Sequence, residues 1–197
     1  MTGTGIRSRG LFTKYKAIQK PWMDEKEIAL IRKYLQPGHI MLEWGSGGST
    51  FYFSQFVQKY YSIESDQKWG KIIRRRVLWS EFWVKVLRGR KEPKIIYHPV
   101  KMPVRPRTIP TRYEDYRDFI ERVDHLGVKR FDVVLIDGRG RDHCAKKILD
   151  YIDEKSVVFI HDYFMPGREY YSEVLQWYDI LEAVTDTPQT LVALRKK

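Results

Sequence analysis

Apolar residues fall along the chain in two rhythms. From Asp24 to Leu35 they recur at Ile28, Ile31 and Leu35, which is helical spacing, and Pro37-Gly38 stops the segment. The same spacing predicts helices over Gln67–Leu78 (Trp69, Ile72, Ile73, Val77), Tyr113–Leu126 (Phe119, Ile120, Val123), Asp142–Ile152 and Tyr170–Tyr178, and Phe51–Tyr60 is helix-compatible. Trp79–Arg90 reads as a helical continuation that ends in a basic turn. Short apolar or β-branched runs mark five strands: Ile40–Leu42, Lys59–Ile63, Lys94–Val100 with Pro99 interrupting it, Phe131–Ile136 and Val157–Ile160. Ile180–Val184 and Thr190–Leu194 form a further pair around a hairpin-like Asp186-Thr187-Pro188 turn. Strands alternating with helices predict an α/β, doubly wound, mostly parallel sheet.

Proline at 103, 106 and 110 breaks regular structure in Lys101–Arg112, which reads as an ordered loop over the sheet's edge, the place where such folds carry specificity. Residues 1–23 read as a basic arm or lid ahead of a single domain over 24–197. Composition changes this picture in one respect. The chain carries 36 Lys+Arg against 25 Asp+Glu, a net charge of +11, which favours an acidic partner: nucleic acid, a phosphorylated or nucleotide-linked substrate, or an anionic surface. No apolar run approaches a membrane span, and the N-terminus lacks the apolar core of a secretory signal. Cys144 is the single cysteine, so no internal disulfide forms, and a reducing, cytoplasmic setting is expected.

The chemistry centres on Ile40–Thr50, IMLEWGSGGST. An apolar strand carries Glu43, then breaks into Gly45-Ser46-Gly47-Gly48, and a helix start follows. A strand that enters a glycine turn and then a helix is how open α/β sheets build nucleotide pockets. Thr50 stands where a dinucleotide fingerprint has its third glycine. The second predicted strand ends at Glu64-Ser65-Asp66, which puts an acid 17 residues after Gly47, where it can reach both hydroxyls of a ribose. Asp66 suits a helix N-cap. Trp69 can flank an adenine or serve the core.

E-x-G-x-G-G resembles motif I of class I S-adenosylmethionine (SAM)-dependent methyltransferases. The set LEWGSGG, SIESD, FDVVLIDG and VVFIHDY is similar to the small O-methyltransferases of the TylF-like, sugar-modifying type and to glycan-modifying methyltransferases of bacteria and large viruses. The resemblance implies a seven-stranded sheet with an antiparallel C-terminal edge. It also implies that Gly45, Ser46, Gly47, Gly48 and Ser49 cradle the methionine part of SAM, that Glu64 and Ser65 hold the ribose beside Trp69, and that Glu43 orders the glycine loop or reaches the SAM ammonium through water. Ser46 and Ser49 serve equally as turn caps.

Asp137 and Asp162 close the fourth and fifth strands at the same end of the sheet. They can share a hard cation such as Mg²⁺ or Mn²⁺, or Asp137 can bond the SAM amino group while Asp162 caps the next loop. Arg139 stands where metal-dependent relatives often carry a second acid. Without a metal, His143 or His161 is the natural general base, with Asp142 close by. Arg139 and Arg141 can clamp phosphate or carboxylate on a substrate, or face solvent. The expected activity is SAM-dependent O-methylation of a hydroxyl, on a sugar in a glycan or a nucleotide-linked sugar. Ribose methylation of RNA is the alternative, and a non-catalytic SAM-binding partner subunit is the third reading. The N/D-P-P-[YF] signature of amino-directed nucleic-acid methyltransferases is replaced by His161-Asp162-Tyr163-Phe164. Tyr170, Tyr171 and Trp177 suit an acceptor cleft, a dimer interface or the core.

Overall fold

Capping sets the first element. In the computed structural model, which describes residues 20–88, 94–101 and 111–197, helix α1 (Glu25–Tyr34) opens on Asp24. The Asp24 carboxylate accepts the Lys26 N–H, and Glu27 reaches back to the Asp24 N–H, completing a capping box. The helix buries Ile28, Leu30 and Ile31.

Seven strands follow: β1 (Ile40–Trp44), β2 (Lys59–Glu64), β3 (Ile95–Pro99), β4 (Val133–Ile136), β5 (Val157–His161), β6 (Tyr178–Val184) and β7 (Leu191–Lys196). They form one sheet in the order β3-β2-β1-β4-β5-β7-β6. The first five run parallel; β7 is antiparallel to β5, and β6 to β7. This is the doubly wound sheet that the sequence pattern predicts, with the antiparallel C-terminal edge that the resemblance implies.

Alternate residues of the central strands feed two cores. Leu42, Trp44, Val134, Ile136 and Ile160 meet Phe119, Ile120 and Cys144 on one face, where α4 (Tyr113–Ile120) and α5 (Arg141–Lys147) lie. Met41, Tyr60, Val133, Leu135 and Phe159 meet Ile28, Ile31 and Phe53 on the other, against α1 and α2 (Gly48–Phe53). Burial on both faces explains why these strands read as continuous apolar runs.

Several boundaries differ from expectation. The segment after the glycine turn is helical only to Phe53; a 3-10 turn covers Ser54–Phe56, and Tyr60 belongs to β2. Helix α4 stops at Ile120 and α5 at Lys147, each continuing as a 3-10 turn, and Glu169–Gln176 is 3-10 throughout. Tyr178 belongs to β6, where its hydroxyl donates to the Ala145 carbonyl at 2.7 Å in the core. Helix α3 (Gln67–Arg88) runs unbroken through Trp79, as expected, whereas its basic turn lies partly outside the described residues. Pro99 is tolerated because β3 is an edge strand and Pro99 its last residue. Most of the proline loop and most of the N-terminal arm lie outside the described residues. No helix among the described residues is long and apolar enough to cross a membrane.

Candidate functional site

The chain leaves β1 toward β2 and β3 on one side and returns to β4 and β5 on the other. The strand order therefore reverses between β1 and β4, and the crevice at their C-terminal ends is where open α/β sheets bind ligands. The loops there touch through backbone. Gly45 has φ +100, and a Cβ on it would lie 2.7 Å from the Gly138 nitrogen. Gly48 meets the N-terminal segment, since a Cβ there would fall well inside contact with the Lys20 carbonyl. Two glycines of the motif are thus required by chain crossings, quite apart from any ligand.

Glu43 is fully buried and accepts the hydroxyls of Ser49, Thr50 (2.6 Å) and Ser62 (2.8 Å). It ties the glycine loop to β1 and β2. Burial pushes its carboxyl up to about 7, although the three hydroxyls pull the other way. The Ser46 hydroxyl pairs with that of Ser62 at 2.6 Å, so both loop serines turn inward, away from the crevice.

Glu64 ends β2 and reaches across to the loop. Its carboxylate accepts the N–H of Ser46 at 2.9 Å and of Asp66 at 2.7 Å. Burial raises this carboxyl also to about 7, against the backbone donors of Asp66, Ser65 and Ser46. Asp66 caps α3, accepting the Lys68 and Trp69 N–H at 2.8 Å each. The Trp69 indole N–H donates to the Ser46 carbonyl at 2.7 Å, laying the ring along the glycine loop. Gly70 leaves room for both the Tyr97 hydroxyl and the Glu64 side chain.

On the β4 and β5 side the structure brings Asp137, Arg141, His161 and Asp162 together. His161 Nδ1 lies 2.9 Å from Asp137 Oδ1 and 3.9 Å from Asp162 Oδ1. Arg141 is buried. Its Nη1 donates to Asp162 at 2.9 Å and to the His161 carbonyl, its Nε donates to the Gly138 carbonyl at 3.0 Å, and its Nη2 lies 3.3 Å from Asp137 Oδ1. The guanidinium offered by the sequence as a substrate clamp is therefore committed inside the protein, binding the two acids.

Asp162 has φ +52, a left-handed conformation that Asp adopts more readily than most residues, and it also accepts Arg168 at 2.8 Å. Burial opposes its charge, but Arg141 and Arg168 outweigh burial and hold its carboxyl below the usual range. Burial likewise works against a charged His161, yet the hydrogen bond and charge of Asp137, with the charge of Asp162, raise the imidazole above its ordinary value.

Two members of this network were not singled out from the sequence. Glu27 has no exposed surface, and its Oε2 lies 3.2 Å from His161 Nε2, while Thr187 donates to Oε1 at 2.7 Å. The capping-box spacing Asp24–Glu27 was the one signal available for it. Arg168 carried none. His143 stands apart from the network: its Nε2 faces the Thr111 carbonyl at 2.8 Å, beside the proline loop, and Tyr113 packs on its ring edge-on. The Asp142 carboxyl lies 3.7 Å from His143 and is raised by burial. Cys144 is buried, and its thiol is pushed well up by burial. Tyr170 packs edge-on against Tyr171, which lies in the core beside Tyr163.

Asp137, His161 and Asp162 have the proximity of a metal-ligand group, but the donor set fits an ion poorly. The Arg141 guanidinium already bonds both acids, and both ring nitrogens of His161 face carboxylates. On the glycine-loop side the backbone crossings at Gly45 and Gly48 bring the loop against Gly138 and Lys20, with the buried Glu64 at the end of β2 beside it.

This is the class I methyltransferase fold, and comparison with solved structures agrees. A methyltransferase-like protein from Silicibacter pomeroyi superimposes with a TM-score of 0.62 at 20% identity, over 91% of this chain and 90% of its own. A candidate methyltransferase from Streptococcus mutans, solved with SAH, gives 0.55 at 13% identity, over 89% and 100%. An rRNA methylase from Streptococcus thermophilus gives 0.55 at 16% identity, over 88% and 98%. Neither a protein-family model nor a curated protein matches the chain.

Proposed function

We propose that this chain is a SAM-dependent methyltransferase that transfers a methyl group to a hydroxyl, on a sugar in a glycan or a nucleotide-linked sugar. The observation that carries the reading is Glu64, a buried acid that bridges the end of the second strand to the glycine loop at the sheet's switch point. In this reading Glu64 and Ser65 hold the ribose, Trp69 flanks the adenine, Gly45–Gly48 admit the methionine part, and Asp137 faces its amino group. Bound SAM supplies an electrophilic methyl on a sulfonium, so the protein's share of catalysis is positioning and proton handling.

His143 is the better-placed base for the acceptor hydroxyl. Donation from Nε2 to the Thr111 carbonyl leaves the Nδ1 lone pair to accept a proton. Arg139, in the loop after β4, is assigned to an anionic group on the acceptor. The +11 charge gives ribose methylation of RNA a specific claim as the second reading.

Calorimetric titration of SAM and SAH into the wild type and Glu64→Ala tests the cofactor: micromolar binding lost in the variant supports the assignment. No binding to the wild type defeats it and leaves a scaffold role. Methyl transfer from labelled SAM to glycans and nucleotide sugars, set against transcribed RNA, decides the acceptor. Polyanion affinity that falls steeply with salt would favour RNA.

A further inference from the structure

We infer that Glu27 is a positioning residue: together with Asp137 it holds His161 as the doubly protonated imidazolium, which makes Asp137–His161–Asp162 an internally neutralised clamp and not a metal centre. The two ring nitrogens face carboxylate oxygens from separate elements, Asp137 after β4 at 2.9 Å and Glu27 of α1 at 3.2 Å. With both acids ionised, a neutral imidazole, which has one N–H, would set lone pair against lone pair at one of these contacts. Glu27 Oε2 also accepts the Asp24 N–H, and Oε1 lies 2.7 Å from the Thr187 hydroxyl, whose single hydrogen it shares with the Gln189 carbonyl.

With His161 charged, the groups balance. Glu27, Asp137 and Asp162 are matched by His161, Arg141 and Arg168, and Arg141 also donates to the His161 carbonyl. An imidazolium has no lone pair for a metal, and it is no general base. Its part is to aim Asp137, the quarter-exposed member of a cluster whose other centre, His161, is buried. That Asp137 faces a cofactor rests on the methyltransferase reading; the protonation of His161 does not.

Ring-nitrogen NMR of the full chain tests this between pH 5 and 9. The wild-type His161 signals should stay at imidazolium positions above the pH at which a free histidine loses its proton, unaffected by micromolar Mn²⁺. In Glu27→Gln the midpoint should fall by about one to two pH units. Should that variant not fold, Asp137→Asn removes the other acid and must produce the same fall. A neutral His161 at pH 7 in the wild type, a midpoint that both variants leave in place, or broadening of its signals by Mn²⁺ would overturn the inference. SAM affinity of Glu27→Gln should drop about tenfold at pH 8 and recover at pH 6, where the imidazole regains its proton, a pH dependence that lost packing does not produce. If the wild type binds no SAM, the cofactor reading fails while the ring-nitrogen result stands.

Discussion

The two sides of the crevice solve one problem differently. Beside the glycine loop, Glu43 and Glu64 accept hydroxyl and backbone donors, and burial pushes both carboxyls to about 7. Beyond β4, Asp162 is gripped by two guanidiniums, and His161 sits between two further acids. On the first side the donors that meet the acids are neutral hydroxyls and backbone N–H groups. The second is neutralised from within and acts as a fixed wall. Proximity of acids alone does not distinguish the two; the partners do.

Removing a cation from the fixed wall should have the largest effect. Arg141→Met leaves two half-buried acids facing one another, and a loss of about 3–5 kcal/mol is expected, read as a lower urea midpoint. Gly45→Ala strikes the contact between the two sides: a left-handed backbone and a Cβ pressed against Gly138 should destabilise by about 3 kcal/mol, seen as a lower melting temperature. On the adjustable side, Glu64→Ala should weaken SAM about a hundredfold, near 2.7 kcal/mol by calorimetry, and should cost about 1–3 kcal/mol of stability because the Ser46 and Asp66 N–H groups lose their acceptor.

The pH dependence reads both sides at once. Glu43 and Glu64 bind their protons more tightly folded than unfolded, so their contribution to stability is present below the ordinary glutamate pKa of 4.5 and is lost as pH rises toward 7. His161, raised above 6.5, contributes fully below that value and loses its contribution as pH climbs through its folded pKa. All three act in one direction, so the melting temperature should fall from pH 5 to pH 8. Glu64→Gln should flatten the lower part of that slope, and a melting temperature that rises over this window would contradict the assignment of these environments.

Much of this was legible before the fold was known. The apolar runs placed all seven strands, and Glu64 stood out because the interval from a glycine turn to the next strand's end is dictated by the βαβ unit itself. The helix ends were less legible, because a 3-10 turn and an α-helix share nearly the same apolar spacing over four residues. Arg141 and Glu27 could not be read correctly from local pattern. A charged side chain is buried only where distant elements supply its partners, and those of Glu27 come from β5 and from the turn before β7.

The meeting of Gly45 and Gly138 has a consequence for how the molecule assembles. The two residues are roughly ninety positions apart in the chain, and contacts of such separation form late, after the entropy of a long loop has been lost. The glycine loop therefore reaches its final shape only once β4 has docked beside β1. Pulse-labelled hydrogen exchange should find the amides of β1 and β2 protected before those of the loop that joins β1 to α2.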